Sequence, residues 1–245
     1  MLNHIVQSLW MGSGRLSDVE RLTVNSFIQN GHEFHLYTYE TVENVPTGAV
    51  VKDANEIIPQ EKSFTISPVA HVKTCYSTFS DFFRWKLIFD RGGWWVDCDL
   101  VCLKPFEFAS EYIFIGGHGK PGADDCIASH VFKAPKGSPI MQWCWDRCQA
   151  MNPQTMSWGQ GGPPLITEAV DKFGFLKDIL PLRTFCPIHY RDFPAAWLTP
   201  DAPPLPDDVY AIHFFTSQWG IKGIDKNGTY PATCMYEQLK KRFNS

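Results

Sequence analysis

The 245-residue chain has no apolar run long enough to cross a membrane as a helix, which sets aside a helical integral membrane protein. Met1 to Trp10 lacks both the cationic start and the apolar stretch of a secretory signal. The expected setting is therefore cytoplasmic, at most peripheral to the inner face of a membrane, with no transmembrane anchor. Positive charge is not in excess either. The 22 Lys and Arg stand against 26 Asp and Glu, a net charge of −4, so no broad basic surface for nucleic acid is expected, although a local patch is compatible with that total. The eight cysteines lack the spacing of a secreted disulfide framework, and no second close pair or histidine neighbourhood marks a zinc cluster. All eight are expected as reduced thiols, mostly buried. No internal repeat and no linker interrupts the chain, and its length suits a single domain over residues 1–245.

What the chain has in quantity is aromatic residues. Nine Trp and eighteen Phe suffice for a substantial core, and flat rings also suit carbohydrate; for any one ring the core role is the default. His4 to Trp10 reads as an apolar strand broken by Gly12-Ser13-Gly14, followed by a helix over Leu16 to Gln29 with Ser17 as its N-cap. Glu33 to Tyr39 alternates as a second strand. This βαβ opening favours a parallel sheet covered by helices. Residues 44–72 read as loop, with a short helix at Ala54 to Ile58.

After that loop the pattern predicts a helix over Thr78 to Asp90 and strands at Trp94 to Asp97, Tyr112 to Ile115 and Ile127 to Lys133. A glycine-rich loop runs through Gly122. Further helices are expected over Pro139 to Ala150, Leu165 to Phe173 and Tyr230 to Phe243, with a last strand at Val209 to Phe215. The proline-rich stretch from Thr184 to Pro206 is expected to be irregular and partly a lid.

The most specific stretch is Ser80 to Asp99. A helix carrying Asp81 and Arg84 three apart, hence on one face, ends at Gly92-Gly93. A very apolar strand follows, then Asp97 and Asp99, which strand geometry would point the same way. Acids beside such apolar sequence are costly unless bound. Two convergent carboxylates can hold a hard divalent cation, and the cation a diphosphate. Two enzyme classes place Asp-x-Asp at a strand end. One is the metal-dependent glycosyltransferases. The other is the haloacid-dehalogenase-type phosphatases with an Asp nucleophile, which expect the motif near the start of the fold and a second acidic pair far downstream. Asp124-Asp125 follows too soon for that role, and Asp207-Asp208 sits among prolines. The phosphatase is the second reading.

In order along nearly the whole chain, the sequence resembles the DXD-containing sugar transferases of GT-A fold, the group with the Och1-like and capsule-synthesis transferases. The clostridial glucosylating toxins share its core. The resemblance is carried by His4 to Gly12, by Ser80 to Asp99 with Leu103-Lys104-Pro105 behind it, by Gly162-Pro163 with Thr167, and by His213 through Ser217-Gln218-Trp219. It implies an α/β fold with a mixed, mainly parallel sheet, and a retaining transfer of a hexosyl group from a nucleotide sugar. A UDP-sugar donor with Mn²⁺ or Mg²⁺ is expected. The acceptor would be a glycan, a lipid-linked saccharide, a protein or a modified nucleic acid. A non-catalytic nucleotide-sugar-binding relative would look the same.

By that resemblance Trp10 stacks on the nucleobase with the Leu9 backbone beside it; the plain alternative is a core residue at a strand end. Asp81 and Arg84 hold the donor sugar, Arg84 near the diphosphate; the alternative is a surface ion pair. Asp97 contacts ribose or sugar and reaches the metal through water, Asp99 binds the metal directly, and His213 is a third ligand unless it is a satisfied core histidine. Ser217 and Trp219 close over the diphosphate from a mobile segment hinged at Gly220 and Gly223. Gln160 with the Gly161-Gly162 backbone would touch sugar or acceptor, or else form a turn before a helix. The chain departs from the group at Trp94-Trp95, at Cys98 between the acids, and at Ser129-His130 where an Asn is expected.

Overall fold

The computed structural model describes residues 4–12, 14–67, 75–116, 126–176, 179–193, 195–200 and 204–243. The chain opens with strand β1 (Ile5–Trp10), helix α1 (Asp18–Gln29) and strand β2 (Glu33–Thr38). Ser17 caps α1 as expected, its backbone N–H donating to Glu20 Oε2 at 2.8 Å to close the first turn. Strand β3 (Val50–Asp53) pairs parallel with β2 and lies inside the stretch expected as loop. It is an edge strand of four residues with Val51 exposed, so neither of its faces carries a clear apolar pattern.

Helix α2 (Ser77–Arg91) follows, then strands β4 (Gly93–Val96), β5 (Leu100–Cys102), β6 (Phe114–Gly116) and β7 (Val131–Ala134). Gly92 ends α2 at φ 69°, where a Cβ would stand 2.4 Å from Lys136 N, so the helix-to-strand turn requires glycine. The rest comprises α3 (Pro139–Gln149), α4 (Pro163–Lys172), β8 (Ile179–Pro181), α5 (Ala195–Leu198), β9 (Ala211–His213), α6 (Thr216–Ile221) and α7 (Met235–Phe243). β7 and β9 are shorter than their apolar runs, and α7 starts five residues later than expected, after Pro231. The glycine-rich loop through Gly122, and with it Asp124-Asp125, lies outside the described residues.

The main sheet has the order β3-β2-β1-β4-β7, parallel except for the antiparallel β4–β7 pair. Trp94 and Trp95 alternate across it. Trp94 packs with Val24 and Phe27 of α1 on one side, Trp95 with the Phe79, Phe83 and Ile88 side of α2 on the other. β5 pairs with β9, bringing the C-terminal part of the chain against the sheet end, and β6 pairs with β8. The order matters for function. From β1 the chain moves one way to β2 and β3, then returns through α2 to β4 on the other side of β1. The carboxyl ends of β1 and β4 therefore flank the point where the winding reverses, the place where open α/β sheets bind ligands.

The last third differs most from expectation. The segment after β9 was expected to be a mobile lid, yet Trp219 on α6 is fully buried, stacked on Phe193 at 5.2 Å, with its indole N–H donated to Phe214 O. No helix among the described residues is long and apolar enough to cross a membrane. No disulfide joins any two of the eight cysteines.

Candidate active site

Asp97, Cys98 and Asp99 form the tight turn from β4 into β5, closed by Leu100 N–H donating to Asp97 O at 3.1 Å. The two acids converge through this turn, not through strand alternation. Cys98 points back, its Sγ 3.0 Å from Ser8 Oγ and 3.4 Å from Leu9 O, and so ties the turn to β1.

Each carboxylate is held differently. Asp97 Oδ1 accepts from Trp95 Nε1 at 2.8 Å and pairs with Arg84 at 3.3 Å, and about a quarter of its side chain faces solvent. Asp99 is nearly enclosed. His213 Nε2 lies 3.1 Å from its Oδ1, and the Thr216 backbone N–H and hydroxyl both donate to its Oδ2, at 2.7 and 2.8 Å. Phe215 reaches the left-handed region, φ 48°, to turn Thr216 toward that oxygen; it is the sole non-glycine at positive φ among the described residues. Such a conformation persists only where surrounding contacts enforce it. β5–β9 pairing sets Leu100 opposite His213, which places the imidazole beside Asp99.

One turn into α2, Asp81 is buried and pairs with Arg84 at 3.3 Å. Arg84 also donates to Ser129 O at 2.5 Å and to Ser80 O and Oγ, each at 3.2 Å, and lies over the Trp95 ring at 4.9 Å. The guanidinium is thus directed into the protein, where it positions Asp81 and Asp97. Its Nε and Nη2 donors are engaged within the protein, while Nη1 gives one hydrogen to Ser129 O. Gly162, at the start of α4, is pressed against Asp81: a Cβ there would stand 2.7 Å from Asp81 Oδ2.

The electrostatics follow from burial. Burial pushes the Asp81 carboxyl up to about 7 against the pull of Arg84, with Asp97 adding to the rise. Burial likewise raises Asp97, opposed by Arg84 and reinforced by Asp99. At Asp99 burial is outweighed by the His213 charge and by the hydrogen bonds from His213 and Thr216, and its carboxyl falls well below the usual carboxylate range. His213 shows the reverse: burial would lower it, but Asp99 holds it up at about 10. His130, stacked on His213 at 4.3 Å, is driven well below its ordinary value by burial and by that neighbouring charge.

Asp97, Asp99 and His213 can bring one ligand atom each to within 4.8 Å of one another. Two carboxylates and an imidazole form a donor set that accepts Mn²⁺, and Asp99 retains an unused lone pair beside its three contacts. The residues fit the expected cation. His130, Cys186 and His213 also lie close together, but the two rings are stacked with 12° between their planes. Their in-plane lone pairs run parallel and do not converge on one ion.

Trp10 ends β1 beside this group, half-buried, with an indole N–H that has no partner and with Lys226 Nζ 5.9 Å above its ring. Leu9 is buried under α2. Ser217 is on the exposed side of α6. Trp219, expected against the diphosphate, is fully buried here, with its N–H donated to Phe214 O. Gln160 is exposed, its Oε1 accepting from Ser157 N–H at 2.9 Å, and Gly161 O accepts from Trp85 Nε1 at 2.7 Å. Thr216 was missed as part of the site, and Ser129 and His130, noted only as standing where an Asn is expected, meet Arg84 and His213. Thr216 alone had a legible signal, a hydroxyl residue at a strand-to-helix junction just past His213.

No protein-family model matches the sequence, and no curated protein matches it significantly. Among solved structures the fold is similar to the PaToxG glycosyltransferase, at 13% identity over 70% of this chain and 70% of that one, with a TM-score of 0.50. The apo form of the glycosyltransferase GlyE from Streptococcus pneumoniae TIGR4 is similar at 15% identity over 72% of this chain and 44% of that one, with a TM-score of 0.42. The first likeness concerns the fold alone: a mixed α/β architecture with a mainly parallel sheet flanked by helices, the fold of GT-A-like glycosyltransferases.

Proposed function

We propose that the chain is a metal-dependent, retaining glycosyltransferase that moves a hexosyl group from a UDP-sugar to an acceptor hydroxyl. The observation that carries this reading is the convergence of Asp97, Asp99 and His213 at the switch point of a glycosyltransferase-type fold. The guanidinium touching these acids, Arg84, is already paired to Asp81 and Asp97, so a diphosphate needs a further positive charge to settle there. Mn²⁺ or Mg²⁺ would supply it, held by Asp99 with Asp97 and His213, and would neutralise charge on the departing diphosphate.

The chain's own residues do the rest. Trp10 offers a ring to the uracil, as does the Leu9 backbone an edge. Asp81, titrating near neutrality, sits where a hydroxyl of the donor sugar can be held. Arg84 fixes the spacing of Asp81 and Asp97, and Ser217 is available to the diphosphate side. In the reaction the anomeric carbon–phosphate oxygen bond breaks and the bond to the acceptor oxygen forms. The leaving nucleoside diphosphate keeps the electron pair and takes the acceptor's proton. With Asp81 and Asp97 both engaged by Arg84, same-face attack is favoured over a covalent intermediate; a glycosyl-enzyme adduct in the mass spectrum would overturn that detail.

No observation favours the phosphatase. Asp208 is spent on a surface pair with Arg183. The test is release of nucleoside diphosphate from a panel of UDP-, GDP- and other nucleotide sugars, with Mn²⁺, with chelator, and with Asp99→Ala. Metal-dependent release from one donor, lost in the variant, is expected. No release together with no Mn²⁺-dependent binding of UDP would end the proposal.

A further inference from the structure

Large exposed apolar side chains are few among the described residues, and two are linked through the start of α2: Trp158, 43% exposed, hydrogen-bonds Ser77, the residue after Tyr76, 38% exposed. An exposed Trp invites an explanation when its orientation is fixed, and this one is fixed. Its indole N–H donates to Ser77 Oγ at 2.7 Å, which uses its one polar handle on the protein and leaves only ring faces and edge for anything outside. The neighbouring Gly159 N–H donates to Thr78 Oγ1 at 3.3 Å, and Gly161 O takes the Trp85 N–H. The segment from Trp158 to Gly162 is therefore tied along α2 by three side-chain hydrogen bonds.

That tie places the ring relative to the site. Ser77 and Asp81 are four apart on α2, on one face, separated by about one turn or ~6 Å along the axis. The same segment ends at Gly162 against the Asp81 carboxylate. Trp158 is thus anchored one helical turn from the residue assigned to the donor sugar, at the open end of α2. We propose that Trp158 is the platform on which a saccharide acceptor stacks, so that the acceptor class is a glycan. This rests on the transferase reading for the donor side.

The surface argues for a sugar ring over a protein partner. A stable protein interface buries about 800 Å² per side around a clustered apolar core. Among the described residues the other large exposed apolar side chains, Val51, Leu176 and Ile221, belong to β3, to the segment after α4 and to α6, and supply no such cluster. A single held indole matches the apolar face of a pyranose. The exposed Gln160 carboxamide, two residues on, can meet its hydroxyls.

The test uses maltotriose, cellotriose and chitotriose at millimolar concentration with the full chain, read by saturation-transfer NMR without donor and by product mass spectrometry with the donor found above. At least one triose is expected to bind and to accept sugar. Trp158→Ala should weaken that triose about tenfold or more, ~1.4 kcal/mol, and raise its KM in step. Trp158→Phe should restore binding to within about threefold, because the ring face is kept. Val51→Ser, which alters an exposed apolar residue elsewhere, should change nothing. Binding of no triose, or equal binding by wild type and Trp158→Ala, overturns the proposal. Saccharide binding with neither donor turnover nor Mn²⁺-dependent binding of UDP would instead sink the transferase reading and leave the platform standing.

Discussion

Replacing Asp81 with Asn should make the protein more stable and less active, and the gain in stability should depend on pH. Asp81 is buried and its carboxyl is raised from 3.8 to about 7, with burial as the main cause. A carboxyl whose folded-state pKa lies above its unfolded value holds its proton more tightly when folded. Its destabilising contribution is absent below the unfolded pKa, grows between the two values, and is complete above the folded one. Three pKa units correspond to ~4 kcal/mol above pH 7, a figure already net of the pull of Arg84. Arg84 keeps Asp97 at 3.3 Å and Ser129 O at 2.5 Å, so the net gain is taken as ~2–4 kcal/mol. For a chain of this length that is roughly 5–10 °C in Tm. Thermal unfolding with chelator present, at pH 8.5 and pH 4, is the assay. Asp81→Asn should melt higher at pH 8.5 and within about 2 °C of wild type at pH 4, while donor turnover falls. An equal shift at both pH values, or a loss at pH 8.5, would refute the reasoning.

Two other substitutions probe single contacts. Gly162→Ala puts a Cβ 2.7 Å from a buried carboxylate that cannot swing into solvent. It should cost ~1–3 kcal/mol in urea unfolding and lower donor turnover by displacing Asp81; unchanged stability and turnover would show that the contact yields freely. Trp219→Ala removes a fully buried indole stacked on Phe193 and should cost ~3–5 kcal/mol, with the affinity of the remaining folded protein for UDP little altered. Unchanged stability with UDP binding abolished would restore Trp219 to the ligand.

The parts of this architecture that were legible are those with short-range signals. Ser17 announces the start of α1, the Gly-Gly pair announces the end of α2, and both follow from local backbone chemistry. Asp81 and Arg84 share a face because helical spacing makes them do so. What was misread depends on contacts distant in sequence. β3 is held by pairing with β2 and carries no apolar alternation of its own. α6 looked mobile because it contains Gly220, yet it is fixed by Trp219 in a pocket built from Phe193, Phe214 and Tyr236. Asp99 owes its geometry to Thr216, 117 residues away, and Arg84 is turned inward by Ser129 O, 45 residues away. Periodicity carries no trace of such partners.

The central claim is that Asp97, Asp99 and His213 hold the cation that holds the diphosphate. The most direct measurement is electron paramagnetic resonance titration of Mn²⁺ with and without UDP, for wild type, Asp99→Asn and His213→Gln. The account predicts Mn²⁺ binding that tightens with UDP in the wild type and weakens at least about tenfold in Asp99→Asn, with a smaller loss in His213→Gln. Equal Mn²⁺ binding by wild type and Asp99→Asn, or tight UDP binding indifferent to Mn²⁺, would contradict it.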